Sequence, residues 1–154
     1  SLSSFANLAD VIDCRQSEEQ DMKMVANYID DNWNDYERFM ERETGLDFGG
    51  CMENRFKDNG KVKCEADNGG SCNNSNAWAM FGSHKIHMCP SFLNRISSFG
   101  NINRRACISA IMSHEFAHTC FRGEGGAERI DNAAFDYWAS THNVTISLSD
   151  CGTL

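Results

Sequence analysis

Two histidines and a glutamate lie within five residues of this 154-residue chain, in the order His114-Glu115-Phe116-Ala117-His118. In a helix the two imidazoles would lie one turn apart on the same face, close enough to bind one cation. Glu115 would be rotated by about 100 degrees from His114, so its carboxylate could reach a water molecule on that cation without being a ligand. These residue types and this spacing indicate a zinc site in which Glu115 is the catalytic base.

The neighbours of the motif favour a buried site at the floor of a cleft. They are all uncharged, and comprise Ile111, Met112, Ser113, Phe116, Ala117, Thr119 and Cys120. Zinc would lower the pKa of a bound water toward neutrality, Glu115 would accept its proton, and the hydroxide would attack a carbonyl polarised by the ion. We therefore expect one Zn²⁺ per chain and a protein or peptide substrate. The alternative is an accidental match between unrelated histidines.

Composition argues against several other classes of protein. The chain has 14 Lys and Arg against 22 Asp and Glu, a net charge of −8, which disfavours a surface that follows nucleic-acid phosphates. Its apolar runs are too short for a transmembrane segment. The length fits a single domain over residues 1–154, which we expect to be a monomer.

Eight cysteines are spread over the chain without a CxxC pair of the kind that zinc knuckles use. Their even number predicts a disulfide framework, and hence an oxidising compartment: a secreted protein, extracellular or periplasmic. A set of reduced core cysteines is the alternative. Cys107 and Cys120 cannot pair, because they lie roughly 20 Å apart on one predicted helix and bridged Cα atoms lie roughly 4.4–6.8 Å apart.

Other elements must position the motif. Apolar residues recur every three or four positions from Ser17 to about Arg42, which predicts one amphipathic helix. Residues 43–76 are rich in Gly, Asn and Asp, and Asp58-Asn59-Gly60 predicts a hairpin turn within them. Residues 77–88 predict two short strands, the second being Lys85–Met88.

The motif itself lies in a helix predicted from Asn103 through Cys120, with Asn103 as the N-cap. Glycines 123, 125 and 126 end it, and a second helix is predicted from about Ala127 to Ser140. The tail from Val144 to Leu148 predicts a strand. The order of elements predicts an α+β fold, with an N-terminal helix and a short sheet over the motif helix, stapled by disulfides.

Residues 84–151 resemble the zincin metallopeptidases, whose active-site helix carries His-Glu-x-x-His. Metzincins have a Gly three residues after the second His, a ligand three further on and a later Met; here Phe121 and Glu124 take those two places, and no Met follows Met112. Gluzincins take a glutamate from a following helix in a Glu-x-x-x-Asn/Asp context, and residues 128–132 look like that pattern. That resemblance implies Glu128 as the third ligand, with Asp131 and Asn132 orienting the histidines.

A second resemblance is to the secreted deuterolysin-type enzymes, the aspzincins. The segments that carry it are IHMCPSF, Cys107, HEFAH, FDYWA and Cys151, and it implies a disulfide between Cys89 and Cys107. The Gly-Thr-x-Asp-x-x-Tyr segment with that family's aspartate ligand is missing, so Asp131 and Glu124 stay open as alternatives to Glu128. The acids of the second helix could also be plain surface charges.

A peptidase also needs a hydrogen-bond donor for the developing oxyanion. The candidates beyond the motif helix are Tyr137, His142, Arg122 and Arg129, and the sequence does not choose among them. His84 and His87 lie on or near the strand that borders the cleft in zincins, where they could contact substrate. The main chain of Lys85–Met88 is expected to be an exposed edge that pairs with an extended peptide.

These residues predict a secreted zinc metalloendopeptidase in which His114, His118 and Glu128 bind the metal and Glu115 activates water. One alternative is a secreted, disulfide-rich binding or toxin module with a zincin fold and little turnover, although such a module has no need of a base at position 115. Another is a cell-wall peptide hydrolase, and no residue separates its substrates from proteins.

Overall fold

Four short strands and six α-helices make up residues 8–152, the part of the chain that the computed structural model describes. The strands are β1 (Asp10–Ile12), β2 (Lys61–Cys64), β3 (Ala77–Ala79) and β4 (Lys85–Met88). The helices are α1 (Gln16–Asp31), α2 (Trp33–Thr44), α3 (Gly50–Asn54), α4 (Pro90–Ile96), α5 (Asn101–Thr119) and α6 (Glu124–Thr141). The fold is therefore α+β, as the order of elements predicts. Within residues 8–152, no helix is long and apolar enough to cross a membrane.

The sheet has the strand order β1-β2-β4-β3. β1, β2 and β4 run parallel, whereas β3 pairs antiparallel with β4 and forms one edge. Val62 and Ile86 are paired in register and fully buried, because alternate side chains of these strands face the core. The prediction that Lys85–Met88 is an exposed edge is wrong: this strand has a neighbour on both sides, and the edge strands are β1 and β3.

The hairpin turn predicted before β2 does not form. Instead, α3 continues into a π-helical turn over Arg55–Asn59, and Gly60 leads into β2. Arg55 is buried and donates from Nε to Thr119 Oγ1 at 3.0 Å. A Cβ on Gly60 would lie 2.2 Å from the carbonyl oxygen of Arg55 and 2.7 Å from the Phe116 ring, so only glycine fits there. Close packing against α5 outweighs the local preference for a turn.

The single N-terminal helix predicted from the apolar repeat is two helices, α1 and α2, with Asn32 between them. Asn32 donates from Nδ2 to the carbonyl oxygen of Tyr28 at 2.8 Å, a local hydrogen bond that competes with continuation of the helix. The apolar stripe still faces the core across both helices. Its buried members are Met22, Val25, Ile29, Trp33, Tyr36 and Met40.

Helix α5 lies at the centre of the molecule, and every residue from Ala106 to Ala117 is buried. Its N-cap is Gly100 rather than Asn103. Asn103 instead makes two side-chain hydrogen bonds of 2.9 Å, one to the backbone and one to the hydroxyl of Thr145. These bonds hold the C-terminal tail against α5 in an irregular path, and the strand predicted for Val144–Leu148 does not form.

Four disulfides connect these elements, which agrees with the predicted framework. They are Cys14–Cys64, Cys51–Cys120, Cys72–Cys89 and Cys107–Cys151. Cys107 and Cys120 bind different partners, which confirms the argument from helix length. The bridge between Cys89 and Cys107 implied by the deuterolysin resemblance is wrong, since Cys89 pairs with Cys72.

Candidate metal centre

The two histidines of the motif face each other near the C-terminal end of α5. His114 is buried, His118 is half-buried, and their Nε2 atoms are 3.2 Å apart. One helical turn separates the two residues, so both rings project from the same face of α5. The structure thus brings together the pair that the sequence places at this spacing.

Glu124, the first residue of α6, completes a group of three possible metal ligands. Its carboxylate oxygens lie 3.1 Å from His114 Nε2 and 3.3 Å from His118 Nε2. The chain reverses direction between α5 and α6 through Phe121, whose φ of 68° is in the left-handed region. Ligand atoms of a four-coordinate zinc ion lie roughly 3.3 Å apart, so the donor types and the separations both fit a zinc ion.

Hydrogen bonds on the far side of each ring determine which nitrogen faces this group. His114 Nδ1 lies 2.7 Å from Asp131 Oδ2, and His118 Nδ1 lies 2.9 Å from the carbonyl oxygen of Arg122. A carboxylate and a carbonyl oxygen accept hydrogen bonds, so each Nδ1 carries a proton and each Nε2 of a neutral ring presents its lone pair. Two lone pairs and a carboxylate then point at one another, an arrangement that a shared cation would stabilise.

The charge around His114 also favours a positive ion. Burial lowers the pKa of His114, but the hydrogen bond to Asp131 acts in the opposite direction. The negative charges of Glu115, Asp131 and Glu124 add to that effect, so the net result is a raised pKa. The same field would stabilise a metal cation at Nε2.

Glu115 is buried next to His114, with its Oε2 atom 3.9 Å from His114 Nε2. Burial raises the pKa of Glu115 to about 7. The charge of His114 opposes this shift, while those of Glu124 and Asp131 add to it. A carboxyl group with this pKa can accept and release a proton near neutral pH.

An open cleft of about 360 Å³ lies over the group. One wall is β3, an edge strand of the sheet, together with the preceding residues 74–76. The opposite side is formed by Glu115 and the three possible metal ligands: His114, His118 and Glu124. Among residues 8–152, β3 has a strand neighbour on one side only, and it lies along the same cleft as the possible metal site, where an extended peptide could pair with it.

Glu128 does not reach the histidines. It is exposed and lines a separate surface hollow with Glu43, Arg129 and Asp136. The reason is the start of α6: the helix begins at Glu124 instead of near Ala127, so its first turn meets the histidines. Glu124 therefore takes the place predicted for Glu128 in the group of three possible metal ligands.

Asp131 and Asn132 lie where they can support a ligand. Asp131 is buried and accepts the hydrogen bond from His114, so it lies behind the imidazole, away from the group's centre. Asn132 is exposed and donates from Nδ2 to Asp131 Oδ1 at 3.1 Å and to the carbonyl oxygen of Glu128 at 2.8 Å. Asp131 thus contacts His114 directly, whereas Asn132 reaches it only through Asp131.

The four predicted oxyanion donors have partners elsewhere. Tyr137 donates to Asp35 at 3.0 Å, and it lies thirteen residues beyond Glu124 on α6, roughly 20 Å along the helix. His142 stacks on the Trp138 ring with centroids 3.8 Å apart. The guanidinium groups of Arg122 and Arg129 donate to backbone carbonyl oxygens of Asp47 and Thr44. None of these four side chains lines the cleft.

The two histidines near β4 also lie outside the cleft lining. His84 is exposed before the strand begins. His87 Nδ1 is 2.7 Å from Glu65 Oε2, and its ring stacks on Trp78 with centroids 3.6 Å apart. His87 therefore supports the edge strand β3 by stacking on Trp78, and Trp78 lines the cleft.

In comparisons with known proteins, no family model, no curated protein and no solved structure matches this chain.

Proposed function

We propose that this chain is a zinc-dependent metalloendopeptidase of the zincin kind that works outside the cell. The observation that carries the proposal is the group of three converging ligand atoms with a buried carboxylate, Glu115, beside it on an open cleft. Two imidazoles and one carboxylate form a common ligand set of catalytic zinc sites, which leave one position open for water or substrate.

His114, His118 and Glu124 would hold the ion. The ion would lower the pKa of a water molecule toward neutrality and polarise the carbonyl of the scissile amide. Glu115 would take the proton of that water and later deliver it to the leaving amine nitrogen. Asp131 would fix the His114 ring with Nε2 toward the ion.

The edge strand β3 would align the substrate. Its sequence is Ala77-Trp78-Ala79, and it lines the cleft at an edge of the sheet, where an extended peptide can add as a further strand. The small side chains of Ala77 and Ala79 leave room for the neighbouring chain. This mode of binding suits an endopeptidase, because it uses the main chain of the substrate and requires no free end.

The four disulfides support an extracellular location, since thiols are kept reduced in the cytosol. Glu115 argues against a module that only binds. Burial of a carboxyl group costs free energy, and a module that only binds has no use for a base at this position.

The test is a comparison of the parent with Glu115→Gln. We expect one zinc per chain in both proteins by elemental analysis, and chelator-sensitive cleavage of an unstructured protein by the parent alone. The glutamine keeps the size of the side chain but cannot act as a base. Equal cleavage by the two proteins would refute the mechanism; cleavage of cell-wall cross-links in place of proteins would change the substrate and keep the mechanism.

A further inference from the structure

Three large apolar side chains are exposed next to the metal cleft. Met80 is 65%, Phe81 61% and Phe121 71% exposed, which makes them the most exposed large apolar residues in the described part of the chain. We call Met80, Phe81 and Phe121 the apolar patch. Single exposed apolar residues are common, but a group of them at the mouth of a cleft usually has a binding partner.

The patch borders the histidines where β3 ends. Met80 and Phe81 follow β3 directly, and the turn that carries them is tied to α5 by a hydrogen bond from Gly82 N to the carbonyl oxygen of Thr119 at 3.0 Å. The Phe81 ring lies 6.1 Å from the His118 ring, with an interplanar angle of 28°. It also lies 6.3 Å from the Phe121 ring, edge to face.

The backbone at both ends of the patch is held in conformations that L side chains seldom adopt. Phe121 has a φ of 68°, which is uncommon for a bulky residue, and Gly82 has a φ of 81°. A Cβ on Gly82 would lie 3.2 Å from the Phe121 ring, so glycine allows the turn to approach that ring closely. Glycine or asparagine would adopt this φ more readily, so phenylalanine at position 121 carries a conformational cost.

We infer that the apolar patch is the specificity site for a large apolar side chain of the peptide substrate. The inference rests on the proposed function, and it names the substrate class: peptides with an aromatic or long aliphatic residue close to the scissile bond. The cleft lined by β3 contains the histidines, and Met80 and Phe81 directly follow this strand, so a peptide paired with β3 would pass both the histidines and the patch. Side chains on one face of a strand recur about every 6.8 Å, so the apolar residue lies within about two positions of the reacting amide.

The size of the apolar patch and the net charge of the chain favour a substrate side chain as its partner, over a second copy of the chain or a membrane. A standard protein interface buries roughly 800 Å² on each partner, which is more than three side chains can supply. The net charge of −8 opposes approach to an anionic membrane surface. A single aromatic or aliphatic side chain matches a patch of this size.

The first experiment measures binding without turnover. The zinc-loaded Glu115→Gln protein is titrated with short blocked peptides of alanine and glutamine that carry one phenylalanine at successive positions. We expect phenylalanine at one position to tighten binding by at least about tenfold over alanine, as burial of an aromatic side chain predicts. Adding Phe81→Ser or Phe121→Gly should remove that preference, whereas Ile102→Ser, at an exposed apolar residue of α5, should leave it intact.

The second experiment uses the active protein. Cleavage sites in an unstructured protein should show a large apolar residue at one fixed distance from the cut bond, and Phe81→Ser should lower the ratio of kcat/KM for a phenylalanine peptide over its alanine equivalent about tenfold. Glycine accepts the left-handed φ at position 121, so Phe121→Gly tests the ring without disturbing the turn. Bound zinc and the near-ultraviolet spectrum report whether each variant is folded.

The outcomes separate this inference from the proposed function. Cleavage with an unchanged residue preference in both patch variants overturns the inference and leaves the peptidase intact. The protein could instead bind phenylalanine peptides, lose that preference in the patch variants and cleave nothing. That outcome would support the binding site and overturn the proposed peptidase function. A concentration-dependent dimer that the same variants abolish would assign the patch to a second copy and overturn the inference.

Discussion

Asp131 accepts a hydrogen bond of 2.7 Å from His114 Nδ1, and it lies seven residues after Glu124 on the same helix. Seven residues turn a helix through about 700 degrees, within about 20 degrees of two full turns. One face of α6 therefore carries both a possible ligand and the carboxylate that orients a second ligand. A small movement of α6 relative to α5 would change both contacts at once.

Substitution of Asp131 tests the orienting role. Asp131→Asn keeps a hydrogen-bond acceptor behind His114 but removes the charge, and Asp131→Ala removes both. We expect zinc affinity to fall about tenfold to a hundredfold, more for alanine than for asparagine. Competition with a chromogenic chelator measures the affinity. Asn132→Ala is the control, because Asn132 contacts Asp131 and not the histidine; equal affinity in all four proteins would remove Asp131 from the site.

Glu124 and Glu128 lie one turn apart on α6 and give a matched pair of variants. Glu124→Gln should lower the zinc content of the protein well below one per chain after dialysis against a weak chelator, because a neutral amide is a poor ligand for zinc. Glu128→Gln should retain full zinc, because that side chain lines another hollow. Loss of zinc in the second variant only would restore the assignment drawn from the gluzincin resemblance.

The sequence predicts some members of the metal group and not others. The spacing of His114 and His118 is a local property of one helix, so it was predictable from periodicity alone. The position of Glu124 depends on where α6 begins, and Gly125 and Gly126 lie inside its first turn although glycine disfavours helix. Tertiary packing overrides that propensity. The one signal in the sequence was the distance of Glu124 from His118, which equals that of the third metzincin ligand.

Long-range pairing explains two other errors, the exposed edge predicted at residues 85–88 and the N-cap predicted at Asn103. The strand at residues 85–88 was predictable from its alternating side chains, but its place inside the sheet depends on β2, which is more than twenty residues away in sequence. The same holds for Asn103, whose partner Thr145 lies at the far end of the chain. Local pattern identifies such elements, but it carries no information about their neighbours.

Removal of the Cys51–Cys120 disulfide tests how the metal group is held. This bridge ties α3 to the residue directly after α5, two positions beyond His118. The double variant Cys51→Ala/Cys120→Ala should lose roughly 4 kcal/mol of unfolding free energy by loop-closure entropy, and zinc affinity should also fall because the turn to Glu124 loosens. Chemical denaturation and chelator competition measure the two effects.

The control for that experiment is Cys14→Ala/Cys64→Ala. Its sequence separation of 50 is close to the 69 of Cys51–Cys120, so the expected loss of stability is also roughly 4 kcal/mol. It joins the segment before α1 to β2, away from the ligands, so zinc affinity should stay within about twofold of the parent when both are folded. An equal fall in affinity in both variants would mean that only global stability matters.

Acid should weaken the contact between Glu65 and His87, which supports the cleft wall at β3. The hydrogen bond from His87 lowers the pKa of Glu65 below its ordinary value of 4.5; burial opposes this, and Lys63 adds to it. Because the folded pKa is the lower one, Glu65 contributes stability at pH values above 4.5, and this contribution is lost as the pH falls through the folded pKa.

The loss of this contact should loosen β3. The His87 ring stacks on Trp78 of this strand, and protonated Glu65 no longer holds that ring as a charged partner. Chemical denaturation at a series of acidic pH values gives the unfolding free energy as a function of pH. This free energy should fall less steeply with pH in Glu65→Gln and in His87→Gln than in the parent. An unchanged slope in both variants would assign the acid sensitivity to another group.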